Sequence, residues 1–229
     1  MVINILCEGS KLKKSDYHHG NLKEEFLKIS LDFIHNQDVE NLTLKVLSDA
    51  TGTSRSAIYR HFKSKDALME EVIREGFREF DKATSPIFQD KNVPLADRFY
   101  KASKAYINWA KANPNLYRLL FGKRYAHIRE EILSIKSDDC DAFASLKLAI
   151  TEGQQKGIIK KGDPLNQSII IWASLHGLSS LIIDGFMDVE AISDKLTDEI
   201  FKSLLAGIVS NKVKIISTIP FINTLVKPN

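Results

Sequence analysis

The sequence predicts an all-α fold of about nine helices in two parts, and three observations carry that reading. Apolar residues recur at helical spacing through almost all of the 229 residues. The alternation expected of half-buried strands is nearly absent. The stretch SPIFQDKNVP, residues 85–94, breaks the pattern and separates four short or medium helices from five longer ones.

Each element has its own signal. Leu22, Phe26, Ile29 and Phe33 form the stripe of a first helix, with Asn21 as N-cap and Glu24 completing a capping box. Leu44 to Ala50 reads as a second helix, capped by Thr43 and stopped at Gly52. Arg55 to His61 reads as a third, capped by Thr53 or Ser54. Ser64 caps a fourth, which carries Leu68, Val72, Ile73, Phe77 and Phe80 and is expected to fade before Pro86. Leu95, Phe99, Ala102, Tyr106 and Trp109 mark a strongly amphipathic fifth helix. Pro114 opens a short sixth that ends near Phe121. A long seventh has Ile128, Ile132, Ile135, Ala142, Leu146 and Ala149 on one face and stops at Gly157. Pro164 opens an eighth running to about Asp184, and Ser193 to Val209 makes a ninth. The expected organisation is a disordered lead over 1–16, a small head over 17–65, a helical body over 66–210 and an apolar, β-branched tail over 211–229.

Composition narrows the function classes. With 44% hydrophobic and 27% charged residues the chain is an ordinary globular one. A net charge of +3 permits an anionic partner without demanding one. Residues 1–65 hold 10 Lys and Arg against 8 Asp and Glu, so a case for nucleic acid must come from placement. Cys7 and Cys140 fit no metal motif and suggest a reducing cytoplasm. The amino terminus reverses the charge order of a signal peptide. Residues 164–183 lack Asp, Glu, Lys and Arg but are too rich in Ser, Asn, Gln and His for a membrane span. No GxSxG, Walker-type GxxxxGK or GxGxxG occurs, and Asp138, Asp139 and Asp141 read as a solvated acidic surface. His18 and His19 are adjacent and point apart, which disfavours zinc. The expectation is a chain without catalytic activity, cofactor, metal or membrane partner.

The informative segment is LKVLSDATGTSRSAIYRHFKSKDAL, a short helix, a turn at Gly52 and a second short helix. Leu44, Leu47 and Ile58 are spaced to pack the two together. That leaves Arg55, Ser56 and Arg60 presented at the start of the third helix, where a helix in the major groove reaches base edges. Arg55 or Arg60 can grip guanine with two hydrogen bonds, worth roughly 1–3 kcal/mol of discrimination. Tyr59, His61 and Lys65 suit phosphate contacts, and Tyr59 equally suits a bracing role beside the helix. Thr43 and Lys45 can clamp backbone across the groove, helped by the amides at the start of their helix. As an isolated pair the two arginines would read as solvated surface cations; within this string the DNA role is the better reading. The basic Lys11, Lys13 and Lys14 can add minor-groove or phosphate contact, or belong to a loose lead.

Residues 17–80 resemble the TetR family of bacterial repressors. The run TGTSRSAIYRHFKSKDAL is similar to that family's recognition helix, with Tyr59, Phe62, Lys65 and Leu68 at its characteristic positions. The lead Tyr17-His18-His19-Gly20-Asn21-Leu22 resembles the opening of one subgroup, whose C-terminal Trp-x-x-x-His-Gly is matched by Trp172, His176 and Gly177. Ser48 and Thr53 depart from the usual Ala and Val, near-isosteric changes that bear on stability more than on function. The resemblance implies a homodimer on a pseudo-palindromic operator, most simply a repressor released by a small-molecule effector. It also implies a dimer interface on helices eight and nine, for which Ala173, Gly177, Ser180, Phe201, Leu204, Leu205 and Ile208 are the candidates. The small residues among them allow close helix approach. The implied effector site falls among Phe99, Tyr106, Trp109, Tyr117, Phe121, Phe143, Trp172 and His176, although any single one of these also suits the core. His176 can serve either a ligand or a buried neighbour. A carrier or enzyme with a vestigial head is the contrasting reading, separated by Arg55→Ala with Arg60→Ala.

Overall fold

The computed structural model describes residues 22–129, 142–187 and 194–210. The lead through Asn21, including His18 and His19, and the tail after Ser210 lie outside the described residues. So do Ile132, Ile135 and the three aspartates at 138, 139 and 141. Nine α-helices run through the described chain: α1 (Leu22–Asn36), α2 (Leu44–Thr51), α3 (Arg55–His61), α4 (Lys65–Gln89), α5 (Leu95–Ala112), α6 (Pro114–Phe121), α7 (Ala142–Gln155), α8 (Pro164–Ile183) and α9 (Asp194–Ile208). Residues 126–129 are also helical and carry the buried Ile128. The fold is all-α with an N-terminal helix-turn-helix, as the periodicity requires.

The head closes on α1 to α3 and the start of α4. Phe26, Leu47, Ile58, Phe62, Leu68 and Met69 are fully or almost fully buried there. Caps define the starts of the short helices. Thr43 Oγ1 accepts from Val46 N at 3.2 Å, Ser54 Oγ from Ala57 N at 3.3 Å and Ser64 Oγ from Ala67 N at 3.0 Å. Of the two cap candidates before α3, Ser54 has the role, while Thr53 Oγ1 pairs with Thr51 Oγ1 at 2.7 Å. A 3-10 turn, Val39–Asn41, precedes α2 and went unread in the sequence. Asp38 caps it through Glu40 N at 3.1 Å.

Gly52 has φ +66°, so the turn between α2 and α3 lies in the left-handed region that side chains disfavour. An added Cβ would meet nothing within 4 Å, so only the backbone opposes substitution. Gly52→Ala is expected to lower stability by about 1–2 kcal/mol, with Gly52→Asn milder. Denaturant midpoints of the two variants check this; equal midpoints for Ala and Gly would refute it.

One boundary differs from expectation. α4 continues through Pro86 to Gln89 rather than ending before it. Proline removes one helical donor, but tertiary contacts hold the last turn. The Phe88 ring meets Phe99 edge-on at 5.5 Å, and the Phe88 carbonyl accepts from Arg98 Nη1 at 2.8 Å. Packing therefore outweighs the lost bond, and the connecting loop is shortened.

The body is layered around α4. α5 and α7 pack on it, α8 packs on α5 and α7, and α9 on α5. Short α6 lies against both α1 and α4, so the body touches the head directly. The connector after α7 turns at Gly157, φ +69°, and forms an isolated antiparallel bridge between Ile159 and Val209. Lys160 N donates to Ile208 O at 2.8 Å and Ser210 N to Ile158 O at 2.9 Å, tying the end of α9 to this connector. No helix among the described residues is long and apolar enough to cross a membrane.

A buried ion cluster joins three of these elements. Arg98 on α5 is 2% exposed and grips Glu152 of α7 with two hydrogen bonds, 3.0 and 2.6 Å long. Lys91 and Lys156, both on the surface, also bind Glu152. The Arg98 guanidinium holds the Glu152 carboxyl well below the usual carboxylate range; burial opposes the shift, and the two lysines reinforce it.

Candidate nucleic-acid interface and aromatic site

α3 has two unlike faces. Ala57 and Ile58 point into the head, while Arg55, Ser56, Tyr59, Arg60 and His61 are exposed. Tyr59 is 54% exposed, so the hydroxyl and much of the ring stand free of the core. Ser56 Oγ lies 2.7 Å from Ser54 Oγ, close to the capped helix start. His61 stays exposed at the far end, its ring 6.0 Å from Phe26. Thr43 and Lys45 are exposed at the start of α2.

Lys65 is placed differently from the other cationic candidates. It is half-buried, and its ammonium donates to Leu42 O at 2.8 Å. Burial pushes its pKa down, helped by the nearby Arg124. That ammonium therefore braces the approach to α2 as well as facing the outside.

The aromatic candidates gather in the body, with one exception. Phe80 meets Tyr106, Trp109 and Phe121 at centroid distances of 5.0, 5.1 and 5.8 Å. Tyr117 and Phe121 approach to 4.7 Å, and Phe121 touches His176 at 5.4 Å. Trp172 lies 5.7 Å from His176 and 6.0 Å from Phe143. Such spacings are the usual edge and offset contacts of aromatic clusters. Phe99 stands apart, packed on Phe88 in the core. Phe77 and Phe80, expected as part of the apolar stripe of the fourth helix, also belong to the cluster.

A polar chain runs through these rings. Tyr106 Oη lies 3.0 Å from Tyr117 Oη, and Tyr117 Oη lies 2.6 Å from His176 Nδ1. Burial raises both phenols, Tyr117 to about 12. Burial, then the charge of Arg129, lowers the pKa of His176 and favours its neutral ring. The Arg129 guanidinium is itself fixed by the carbonyls of Leu120 and Gly122, at 2.9 and 2.8 Å. The chain was not legible in advance, because it joins α5, α6 and α8 across 59 residues of sequence between Tyr117 and His176.

α8 carries a second apolar face, turned outward. Leu165, Ile169, Ile170 and Leu181 are exposed, as is Ala173. A Cβ at Gly177 would meet nothing within 4 Å among the described residues, so its small size serves no neighbour on α7 or α5. Ser180 is half-buried. On α9, Phe201 and Ile208 turn inward instead: Phe201 meets the Tyr100 ring at 5.2 Å, and both are 6% exposed. The Tyr100 contact and the bridge at Val209 set this rotation. Those two interface candidates are thus core residues of the chain itself. Leu204 is half-buried, and the Leu205 side chain lies outside the described residues.

Comparison with known proteins finds two family matches in the chain. Residues 27–72 match the bacterial regulatory proteins of the tetR family, and residues 99–208 match the tetracyclin repressor-like C-terminal domain. The nucleoid occlusion factor SlmA of Vibrio cholerae serotype O1 is 28% identical over 103 residues, which make up 44% of this chain and 52% of that factor. The chain thus spans about half the length of that relative. In structure, a protein of unknown function from Rhodococcus sp. RHA1 is similar with a TM-score of 0.69 at 22% identity, covering 86% of this chain and 100% of that one. The transcriptional regulator FadR from Bacillus subtilis, solved in complex with stearoyl-CoA, is similar with a TM-score of 0.63 at 16% identity, covering 81% and 98%.

Proposed function

We propose that this chain, which carries an N-terminal and a C-terminal domain of the TetR family, is a cytoplasmic repressor that binds a pseudo-palindromic operator as a homodimer and leaves it when a small molecule occupies the aromatic cluster. The observation that carries the DNA role is the outer face of α3, where Arg55, Ser56, Tyr59 and Arg60 are exposed behind a capped helix start. A recognition helix needs that arrangement: apolar residues lock it to the head, and its first turns stay free for base edges. Thr43 and Lys45 sit on the neighbouring helix in position to hold phosphate. The outward apolar face of α8 around Ala173 and Gly177 supports the dimer, since such a patch is normally covered. Two-fold symmetry then makes the operator a pseudo-palindrome.

The effector reading rests on the rings and polar chain between α5, α6 and α8. α4 begins in the head at Lys65 and ends in the body at Gln89, so a shift among the body rings reaches the reading head through one helix. Useful coupling needs about 1–3 kcal/mol per site. The likeness to SlmA, a nucleoid occlusion factor, favours a second reading, a nucleoid-bound factor rather than a promoter-bound one. Two measurements separate them: binding of the purified protein to the intergenic DNA beside its own gene, with non-specific competitor at physiological salt, and mapping of its binding sites across the genome. A protected palindrome supports the repressor. Genome-wide binding at many sites remote from promoters supports the second reading, and no specific binding by a folded dimer overturns both.

A further inference from the structure

Trp172 and His176 lie one turn apart on α8, their ring planes tilted by 34° and their centroids 5.7 Å apart, and the Tyr117 ring lies 5.6 Å from the imidazole at 24°. With Phe121 at 5.4 Å, three aromatic rings border the imidazole. Trp172 is 37% exposed, and His176, Phe121 and Phe143 are half-buried, so none of the four is sealed in the core.

The proton positions in the polar chain follow from its lengths. The bond of 2.6 Å between Tyr117 Oη and His176 Nδ1 suits an O–H donor, because N–H donors to oxygen centre near 2.9–3.0 Å. Tyr117 thus donates to Nδ1, and Tyr106 donates to Tyr117 across 3.0 Å. A neutral imidazole that accepts at Nδ1 carries its hydrogen on Nε2. Burial and the charge of Arg129 keep the ring neutral. Nε2–H has no hydrogen-bond partner among the described residues and is not sealed from solvent, so a ligand can reach it.

Arg129, fixed by two carbonyls of the α6 end, is the charged group that acts on His176. A cation placed here would meet repulsion, whereas a neutral molecule or an anion would not.

We propose that the effector of this site is an uncharged or anionic planar aromatic molecule bearing an oxygen acceptor, which takes the hydrogen of His176 Nε2 while its ring packs beside Trp172, Phe121 and Phe143. The inference rests on the reading of this cluster as the effector site and adds the ligand's chemical class. The pairing of Trp172 with His176 then has a chemical sense: one supplies a stacking surface and the other a directed donor. The chain Tyr106–Tyr117–His176 fixes the tautomer, so the donor is set before the ligand arrives.

Calorimetric titration of the full chain with four probes tests this: 2-naphthol, 2-naphthoate, (2-naphthylmethyl)trimethylammonium and laurate. The naphthol or the naphthoate is expected to bind at least about tenfold more tightly than either control, since the cation offers no acceptor to Nε2–H and laurate, although it has a carboxylate, offers no ring to Trp172, Phe121 and Phe143. His176→Leu should weaken that binding by about tenfold or more, while His176→Gln, whose amide N–H reaches the same region, should stay within about threefold. If the leucine variant does not fold, the proton and nitrogen resonances of Nε2 in the unaltered protein give the same answer by shifting on addition of naphthoate. Equal or tighter binding of the cation or of laurate, unchanged binding in His176→Leu, or no binding of either naphthalene probe would overturn the proposal. Operator release by laurate alone keeps the ligand-gated repressor and overturns the aromatic class. Naphthoate bound at His176 with the operator still held supports the class and overturns the gating.

Discussion

Glu152→Ala is expected to lower the stability of this protein by about 3–5 kcal/mol, the usual effect of stripping one partner from a buried ion pair. The reason is the environment of Arg98. Its guanidinium is almost wholly buried and keeps only the Phe88 carbonyl once the carboxylate is gone. The Nε of Arg98 already lacks a partner among the described residues, so no spare acceptor takes up the load. For a chain of this size the fall corresponds to roughly 6–20 °C in melting temperature. Arg98→Met with Glu152→Leu should recover most of the loss, because two apolar side chains leave no stranded charge. Urea midpoints of the single and double variants decide it. A single variant as stable as the parent would show that water reaches Arg98. Acid should act in the same direction: the depressed Glu152 pKa stabilises the fold above the ordinary carboxylate range, near 4.3, and that contribution is lost as pH falls through the folded value.

Replacing Arg55 and Arg60 together with alanine should abolish specific operator binding while leaving the fold intact. Both are exposed, and neither forms an ion pair or hydrogen bond among the described residues, so unfolding midpoints should move by less than about 0.5 kcal/mol. If each grips guanine, the loss is about 2–6 kcal/mol per half-site. Lys45→Ala should instead weaken all sequences alike and reduce the salt dependence by about one counterion per half-site. Mobility shifts on specific and scrambled DNA at two salt concentrations separate the two effects. Operator affinity unchanged in the arginine variant would place recognition elsewhere and leave the carrier reading in possession of the body.

The helices were legible because their signals are local. Thr43, Ser54 and Ser64 cap where hydroxyls precede apolar periodicity, and Gly52 turns the chain where a left-handed residue is needed. The outer face of α3 follows from the same short window. Longer-range features resisted. Pro86 looked like a stop because the Phe88–Arg98 contact that overrides it lies across a loop. The rotation of α9, which buries Phe201 and Ile208, depends on Tyr100 and on the Ile159–Val209 bridge. Aromatic composition pointed to most of the cluster, but Phe80 reads in sequence as one more position in the apolar stripe of α4, and only its contacts across to α5 and α6 place it among these rings.

Neighbouring positions on α8 face different ways, about 100° apart around the helix: His176 bonds inward to Tyr117, and a Cβ at Gly177 would meet nothing within 4 Å among the described residues. One rigid turn therefore reports to two surfaces, and thermodynamics makes such a report mutual. Any free energy that an effector at His176 adds to or takes from self-association through this face must return, with equal size, in its own affinity. A regulator built this way would weigh its ligand differently when scarce than when abundant, so the cell's copy number becomes part of the dose response.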